Sequence, residues 1–166
     1  MGHIWVYSEV GQGTTFKIYL PRVDAGEEPL ASSDEQALSP RGAETILLAE
    51  DEEAVRRLTV RMLTDLGYTV IEASNGIEAV RLCEQHERPI HLLLTDVIMP
   101  GMTGKDLADR VRALKPELKV LYMSGYTDDT ISRSGVLDRS TAFLQKPFSQ
   151  EGLASKVRDV LDGKVG

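Results

Sequence analysis

Two hydrophobic rhythms divide the chain. Between residues 45 and 166, short apolar runs alternate with stretches in which apolar residues recur every three or four positions. Ile46-Leu47-Leu48-Ala49 is the first run, and Val55, Leu58, Met62 and Leu66 follow it at helical spacing. Tyr68-Thr69-Val70-Ile71 is the second, followed by a helix opened at Asn75-Gly76 and carrying Ile77, Val80 and Cys83. The third run, Ile90 to Thr95, is apolar almost throughout, as a strand buried on both faces requires. Thr103, with Asp106 three residues on, has the form of a capping box ahead of Leu107, Val111 and Leu114. Val120-Leu121-Tyr122-Met123 is the fourth run, with a weaker helix around 127–134. Thr141-Ala142-Phe143-Leu144 is the fifth, and Ser149 caps a last helix with Leu153, Val157, Val160 and Leu161 inward. This alternation predicts an α/β domain: five βα units forming a doubly wound parallel sheet with helices on both faces.

Residues 1–21 follow the other rhythm. Ile4, Val6, Phe16, Ile18 and Leu20 alternate with other residues, Gly11-Gln12-Gly13 supplies a turn, and Pro21 ends the pattern. This is a β-hairpin with one face built for burial. Two strands alone are marginal in water, so it reads as the end of a larger domain.

Residues 22–44 have no rhythm at all. They hold six acids against two bases, with Pro29, Pro40, Gly26 and Gly42 among Ser and Ala, and no aromatic residue. Such a stretch cannot bury enough apolar surface to offset its ordering entropy, so it reads as a flexible acidic linker.

Charge then narrows the partners. The formal charge is −7, which argues against nucleic-acid binding by spread basic charge and against a basic membrane-surface helix. No apolar run is long enough to span a bilayer and no signal peptide is visible. Cys83 is the only cysteine, so no internal disulfide forms, which fits a cytoplasmic location. His3 and His91 read as strand residues, His86 as solvated, Cys83 as a core thiol and Trp5 as a hairpin aromatic.

The candidate chemistry sits where the strands end. Ligands of a doubly wound sheet bind beyond the carboxyl ends of its strands. The first strand ends in Glu50-Asp51, the third in Asp96, the fourth in Ser124 and the fifth in Lys146-Pro147. Each has a plainer reading: the acidic pair as charge at a helix start, Ser124 as turn chemistry, Lys146 as a counter-ion to Asp96. Their coincidence on one sheet edge outweighs those readings. Three close carboxylates repel one another, and a divalent cation relieves the repulsion. All-oxygen ligands favour Mg²⁺. Lys146 and the Ser124 hydroxyl suit phosphoryl oxygens, and an ionised Asp96 suits attack on phosphorus.

The stretches ILLAEDEEAVR, LLLTDVIMPGMTG, LYMSGYT and FLQKPF, in this order, resemble the receiver domain of two-component signalling. The resemblance covers 45–162 and implies a flavodoxin-like fold with strand order 2-1-3-4-5. It implies a phosphorelay in which Asp96 is the phosphoacceptor. Mg²⁺ is then held by Glu50, Asp51, Asp96 and the backbone carbonyl of Ile98. Ser124 and Lys146 take the phosphoryl oxygens, and Ser124 and Phe143 form the switch that repacks the face around the fourth and fifth strands. A cis peptide at Lys146-Pro147 is also implied. The donor would be a phosphohistidine on a histidine kinase or a histidine phosphotransfer domain. Glu50 stands where Asp is more usual, and Phe143 lacks the hydroxyl of the more usual Tyr.

GHIWVYSEVGQGTTFKIYLP is similar to the last two strands of the histidine-kinase ATPase domain. The order of the parts, hairpin remnant (1–21), linker (22–44) and receiver (45–166), is that of a hybrid sensor histidine kinase. The ATP-binding motifs are absent from the chain, so no kinase activity is expected of it. Self-association through the hairpin edges or the face near the fifth strand stays open. An alternative is a stand-alone phosphatase or phosphotransferase with an Asp nucleophile, but the acid such enzymes carry two residues on is here Ile98. A receiver without a kinase parent is disfavoured by the hairpin. Ile98 and Tyr126 flank the site and are bulky enough to shield an acyl phosphate from water.

Overall fold

The computed structural model describes residues 2–21, 42–125 and 141–164. Most of the linker (22–41), the helix expected around 127–134 and Tyr126 lie outside the described residues. The chain divides into two units, Met1–Gln36 and Ala37–Gly166.

In the first unit, β1 (His3–Glu9) and β2 (Gly13–Tyr19) pair antiparallel, with Ile4 opposite Ile18 and Val6 opposite Phe16. Gly11 and Gly13 carry the positive φ of the turn. The apolar face is formed as the alternation requires, but Ile4, Val6, Phe16 and Ile18 are all exposed. Two strands supply no second layer to cover them.

The second unit is a five-stranded parallel sheet: β3 (Thr45–Ala49), β4 (Thr69–Ala73), β5 (Leu92–Asp96), β6 (Lys119–Ser124) and β7 (Phe143–Gln145). The strand order is β4-β3-β5-β6-β7, so the chain steps outward from β3 to β4 and then returns to the other side of β3. Its described helices are α1 (Glu53–Asp65), α2 (Gly76–Gln85), α3 (Gly104–Leu114) and α4 (Gln150–Leu161).

Successive strand side chains point to opposite faces, so each central strand feeds two cores. Leu47, Ala49 and Leu93 pack with Ala79, Cys83, Leu107 and Val111 of α2 and α3. Ile46, Leu48, Leu92, Leu94, Leu121 and Met123 pack on the other face with Leu63 of α1 and Leu153, Val157 and Val160 of α4. That is why β3 and β5 are apolar without alternation.

The helix starts follow their local chemistry. Asn75 accepts from Glu78 N at 2.9 Å, Thr103 from Asp106 N at 3.2 Å and Ser149 from Gly152 N at 3.1 Å. Thr103 also donates its hydroxyl to Asp106 Oδ2 at 2.7 Å.

The inward faces of three helices differ from the expected ones; in α3, Leu107 and Val111 are buried but Leu114 is exposed. Thr59 and Leu63 are the buried residues of α1, whereas Leu58 is 52% exposed. A buried threonine is tolerable because its hydroxyl donates to Val55 O at 2.8 Å. Ala79 and Cys83 are buried in α2, and Ile77 is exposed. His86 is not simply solvated, since its Nε2 is buried without a hydrogen-bond partner. The end of the expected linker is tied to the second unit: Gly42 N donates to Leu66 O, and Glu44 O accepts from Thr69 N.

Candidate functional site

The site occupies the carboxyl edge of the parallel sheet where strand order reverses between β3 and β5. β3 runs directly into Glu50 and Asp51, and the neighbouring β5 ends in Asp96. Carboxylate oxygens from the three residues lie within 4.8 Å of one another. Glu50 is fully buried, Asp96 partly buried and Asp51 exposed.

Lys146 reaches the same point from the end of β7. Its Nζ donates to Glu50 Oε2 at 2.5 Å and to Asp96 Oδ2 at 2.8 Å. The lysine's backbone N–H donates to Ser124 O at 2.8 Å, and the Lys146-Pro147 peptide is cis. Burial pushes the Glu50 carboxyl above its ordinary value, more than the Lys146 contact draws it down. Burial also opposes the Lys146 charge, but the hydrogen bonds to Asp96 and Glu50 outweigh it and hold the ammonium above its usual value. Both groups are raised, for different reasons: desolvation for Glu50, and the carboxylate partners, working against desolvation, for Lys146.

The remaining oxygens have weaker partners. Glu50 Oε1 accepts from Glu52 N at 3.3 Å, and Asp96 Oδ1 from Ile98 N at 3.4 Å. Three carboxylates from adjacent strands, with no nitrogen or sulfur ligand in the cluster, are the donor set a hard divalent cation takes. One lysine offsets only part of their charge.

Ser124 ends β6 and is buried. Phe143 begins β7 beside Tyr122 and is half-buried against the α2–α3 core. The Ile98 side chain is 61% exposed beside Asp96. The structure therefore brings Glu50, Asp51, Asp96 and Lys146 together, with Ser124 and Phe143 on the adjoining strands.

Two neighbours were not singled out from the sequence. Gly104 begins α3 so close to the end of β5 that a Cβ there would overlap the carbonyl oxygen of Asp96. Arg56 of α1 donates through Nη1 to the carbonyls of Glu50 at 2.9 Å and Asp51 at 3.4 Å. Both lie within eight residues of the groups they serve, but neither shows in the hydrophobic period or as a helix cap, because each serves a backbone carbonyl.

Comparison with known proteins adds independent findings. Residues 46–158 match the model of the response regulator receiver domain. The chain is 41% identical to the sensor kinase CckA of Brucella abortus over 168 residues, covering 97% of this chain and 18% of the kinase. It thus spans less than a fifth of that relative's length. It is 35% identical to the response regulator receiver protein CpdR of the same organism, across 70% of this chain and 95% of that protein. The solved receiver domain of the hybrid histidine kinase CckA aligns with a TM-score of 0.60 at 37% identity, covering 70% of this chain and 98% of that one. The response regulator TrrA of Thermotoga maritima, solved in complex with Mg²⁺-BeF, aligns with a TM-score of 0.59 at 28% identity, covering 70% and 98%.

Proposed function

The chain belongs to the response regulator receiver family, and from that premise we propose that it is the phosphoacceptor of a Mg²⁺-dependent phosphorelay. The observation that carries this reading is the triple of carboxylates bridged by Lys146 at the sheet edge. Asp96 is the nucleophile. One of its oxygens forms the new P–O bond as the P–N bond of a phosphohistidine breaks, and the imidazole nitrogen leaves with the electron pair. Glu50, Asp51, Asp96 and the Ile98 carbonyl would hold Mg²⁺, which would neutralise phosphoryl charge. The Lys146 ammonium and the Ser124 hydroxyl take phosphoryl oxygens.

Phosphorylation then favours a packing in which Ser124 turns toward the phosphoryl group and Phe143 follows it. Contacts present only with phosphate shift the population of the β6–β7 face. Support comes from their placement on adjacent strands, where Ser124 pairs with Gln145 and Tyr122 with Phe143.

The donor in this reading is a phosphohistidine on a histidine kinase or phosphotransfer domain. The parent is a hybrid histidine kinase working in the cytoplasm, with residues 1–21 the end of its ATPase domain and 22–44 a linker. The alignment to the CckA kinase supports this, since it takes in 97% of the chain and so includes the hairpin. No helix among the described residues is long and apolar enough to cross a membrane.

The test is incubation with a small acyl-phosphate donor, with and without Mg²⁺, followed by intact-mass measurement. The wild type gains one base-labile phosphate only with Mg²⁺, and Asp96→Asn gains none. A phosphorylated Asp96→Asn chain removes Asp96 from this role.

A further inference from the structure

Arg56 is absorbed by neither the carboxylate cluster nor the core. It lies on the first turns of α1, its side chain only 16% exposed. One amino group of its guanidinium serves two carbonyls in succession, those of Glu50 and Asp51. Those two residues carry two of the three clustered carboxylates. The Glu50 N–H is held as well, donating to Ala73 O at 3.2 Å, so the backbone of this residue is fixed on both sides. The turn from β3 into α1 lacks the usual restraint, because Glu52 at the N-cap makes no side-chain cap bond. The contacts within the turn are those of Arg56 and the longer Glu52 N to Glu50 Oε1 bond at 3.3 Å. Arg56 Nε lies 3.9 Å from Glu72 Oε2, too far for a hydrogen bond, and Glu72 is 58% exposed.

We propose that Arg56 is a positioning residue for the metal site: it sets the Glu50 and Asp51 carboxylates against Asp96 by pinning the carbonyls behind them. This rests on the Mg²⁺ reading above. Outer groups that orient ligands alter metal affinity by about 10–100-fold when removed.

Two physical roles for Arg56 predict opposite signs. A guanidinium near the site repels a divalent cation, so charge alone predicts tighter Mg²⁺ binding when it is removed. Positioning predicts weaker binding, because the freed turn must be ordered again each time the metal binds.

The experiment is Mg²⁺ titration of the full, unphosphorylated chain by isothermal calorimetry, with the urea midpoint recorded for each variant. Arg56→Gln raises the Mg²⁺ Kd about tenfold. Arg56→Lys keeps the charge but offers a point donor instead of a fork, and raises it by a smaller factor. Glu72→Gln leaves it unchanged. An Arg56→Gln Kd equal to or below that of the wild type overturns the proposal. So does a Glu72→Gln loss as large as that of Arg56→Gln. If Arg56→Gln does not fold, Arg56→Lys carries the test, and an unchanged Kd overturns the proposal. A wild type that binds no Mg²⁺ overturns both this inference and the metal reading, whereas failure in the variants alone overturns only the role of Arg56.

Discussion

Replacing Lys146 by Met tests the energetics of the site directly. The side chain is nearly isosteric in its stem but carries no charge. In the wild type, Nζ lies 2.5 Å from Glu50 Oε2 and 2.8 Å from Asp96 Oδ2. At an effective dielectric of about 20, each contact is worth roughly 6 kcal/mol of Coulomb attraction. Desolvation of three ionised groups takes back several kcal/mol apiece, so the assembled cluster is close to neutral in net stability. Its disruption is not. Removing one partner of a buried pair costs about 3–5 kcal/mol, because the other charge stays buried without compensation. Glu50 is in that position, being fully buried. Lys146 and Asp96 keep 18% and 17% side-chain exposure, which places the expected loss at the lower end, about 3 kcal/mol. With a urea m-value of roughly 1.5 kcal/mol per molar, the unfolding midpoint falls by about 2 M in metal-free buffer. Two further outcomes follow from the same cause. Millimolar Mg²⁺ stabilises Lys146→Met more than the wild type, since the cation replaces the missing positive charge. The Lys146→Met/Glu50→Gln double variant regains most of the loss, because the buried charge is gone. A Lys146→Met chain with an unchanged midpoint in EDTA refutes the reasoning.

Arg158→Gln probes the tie between the start of the second unit and its last helix. Arg158 Nη1 donates to Glu44 Oε1 at 2.8 Å, and both side chains keep about a quarter of their exposure. The expected loss near neutral pH is about 0.5–1 kcal/mol by urea unfolding. Burial alone would raise the Glu44 pKa, but the Arg158 hydrogen bond and charge hold it below its ordinary value. A depressed folded-state pKa contributes stability above the unfolded value and loses it as pH falls through the folded one. The wild-type advantage over Arg158→Gln therefore fades below about pH 4, and a difference that persists at pH 2 excludes this origin. Gly104→Ala forces a methyl group onto the Asp96 carbonyl oxygen. It costs about 1–3 kcal/mol in urea unfolding and slows acyl-phosphate labelling of Asp96. Wild-type stability and labelling rate in Gly104→Ala would show that β5 and α3 separate freely there.

Much of this molecule was legible from the order of its residues, for local reasons. A central parallel strand is buried on both faces, so β3 and β5 stand out as apolar runs without alternation. The chain must turn polar where such a strand leaves the core, and the first charged residues there are Glu50, Asp51 and Asp96. Asn75, Thr103 and Ser149 announce helix starts because capping bonds reach only three residues. Helix faces were less legible. Leu58 and Ile77 fit the apolar period, yet Thr59 and Ala79 point inward. A period fixes the angular spacing of a stripe, and only the sheet beneath decides which side meets it.

The tertiary structure alone decided how the polar strand ends meet. Lys146 lies 96 residues from Glu50 and 50 from Asp96 in sequence, yet it bonds to both. That meeting depends on the order β4-β3-β5-β6-β7, which sets the ends of β3 and β5 side by side. Arg158 on Glu44, 114 residues apart, is likewise a contact between groups that local sequence patterns do not link. Burial and capping act over a few residues, so residue order is enough to place the polar strand-end groups at the sheet edge. Their distances and charge balance came only with the packed sheet, because these depend on groups that the chain brings together from far apart.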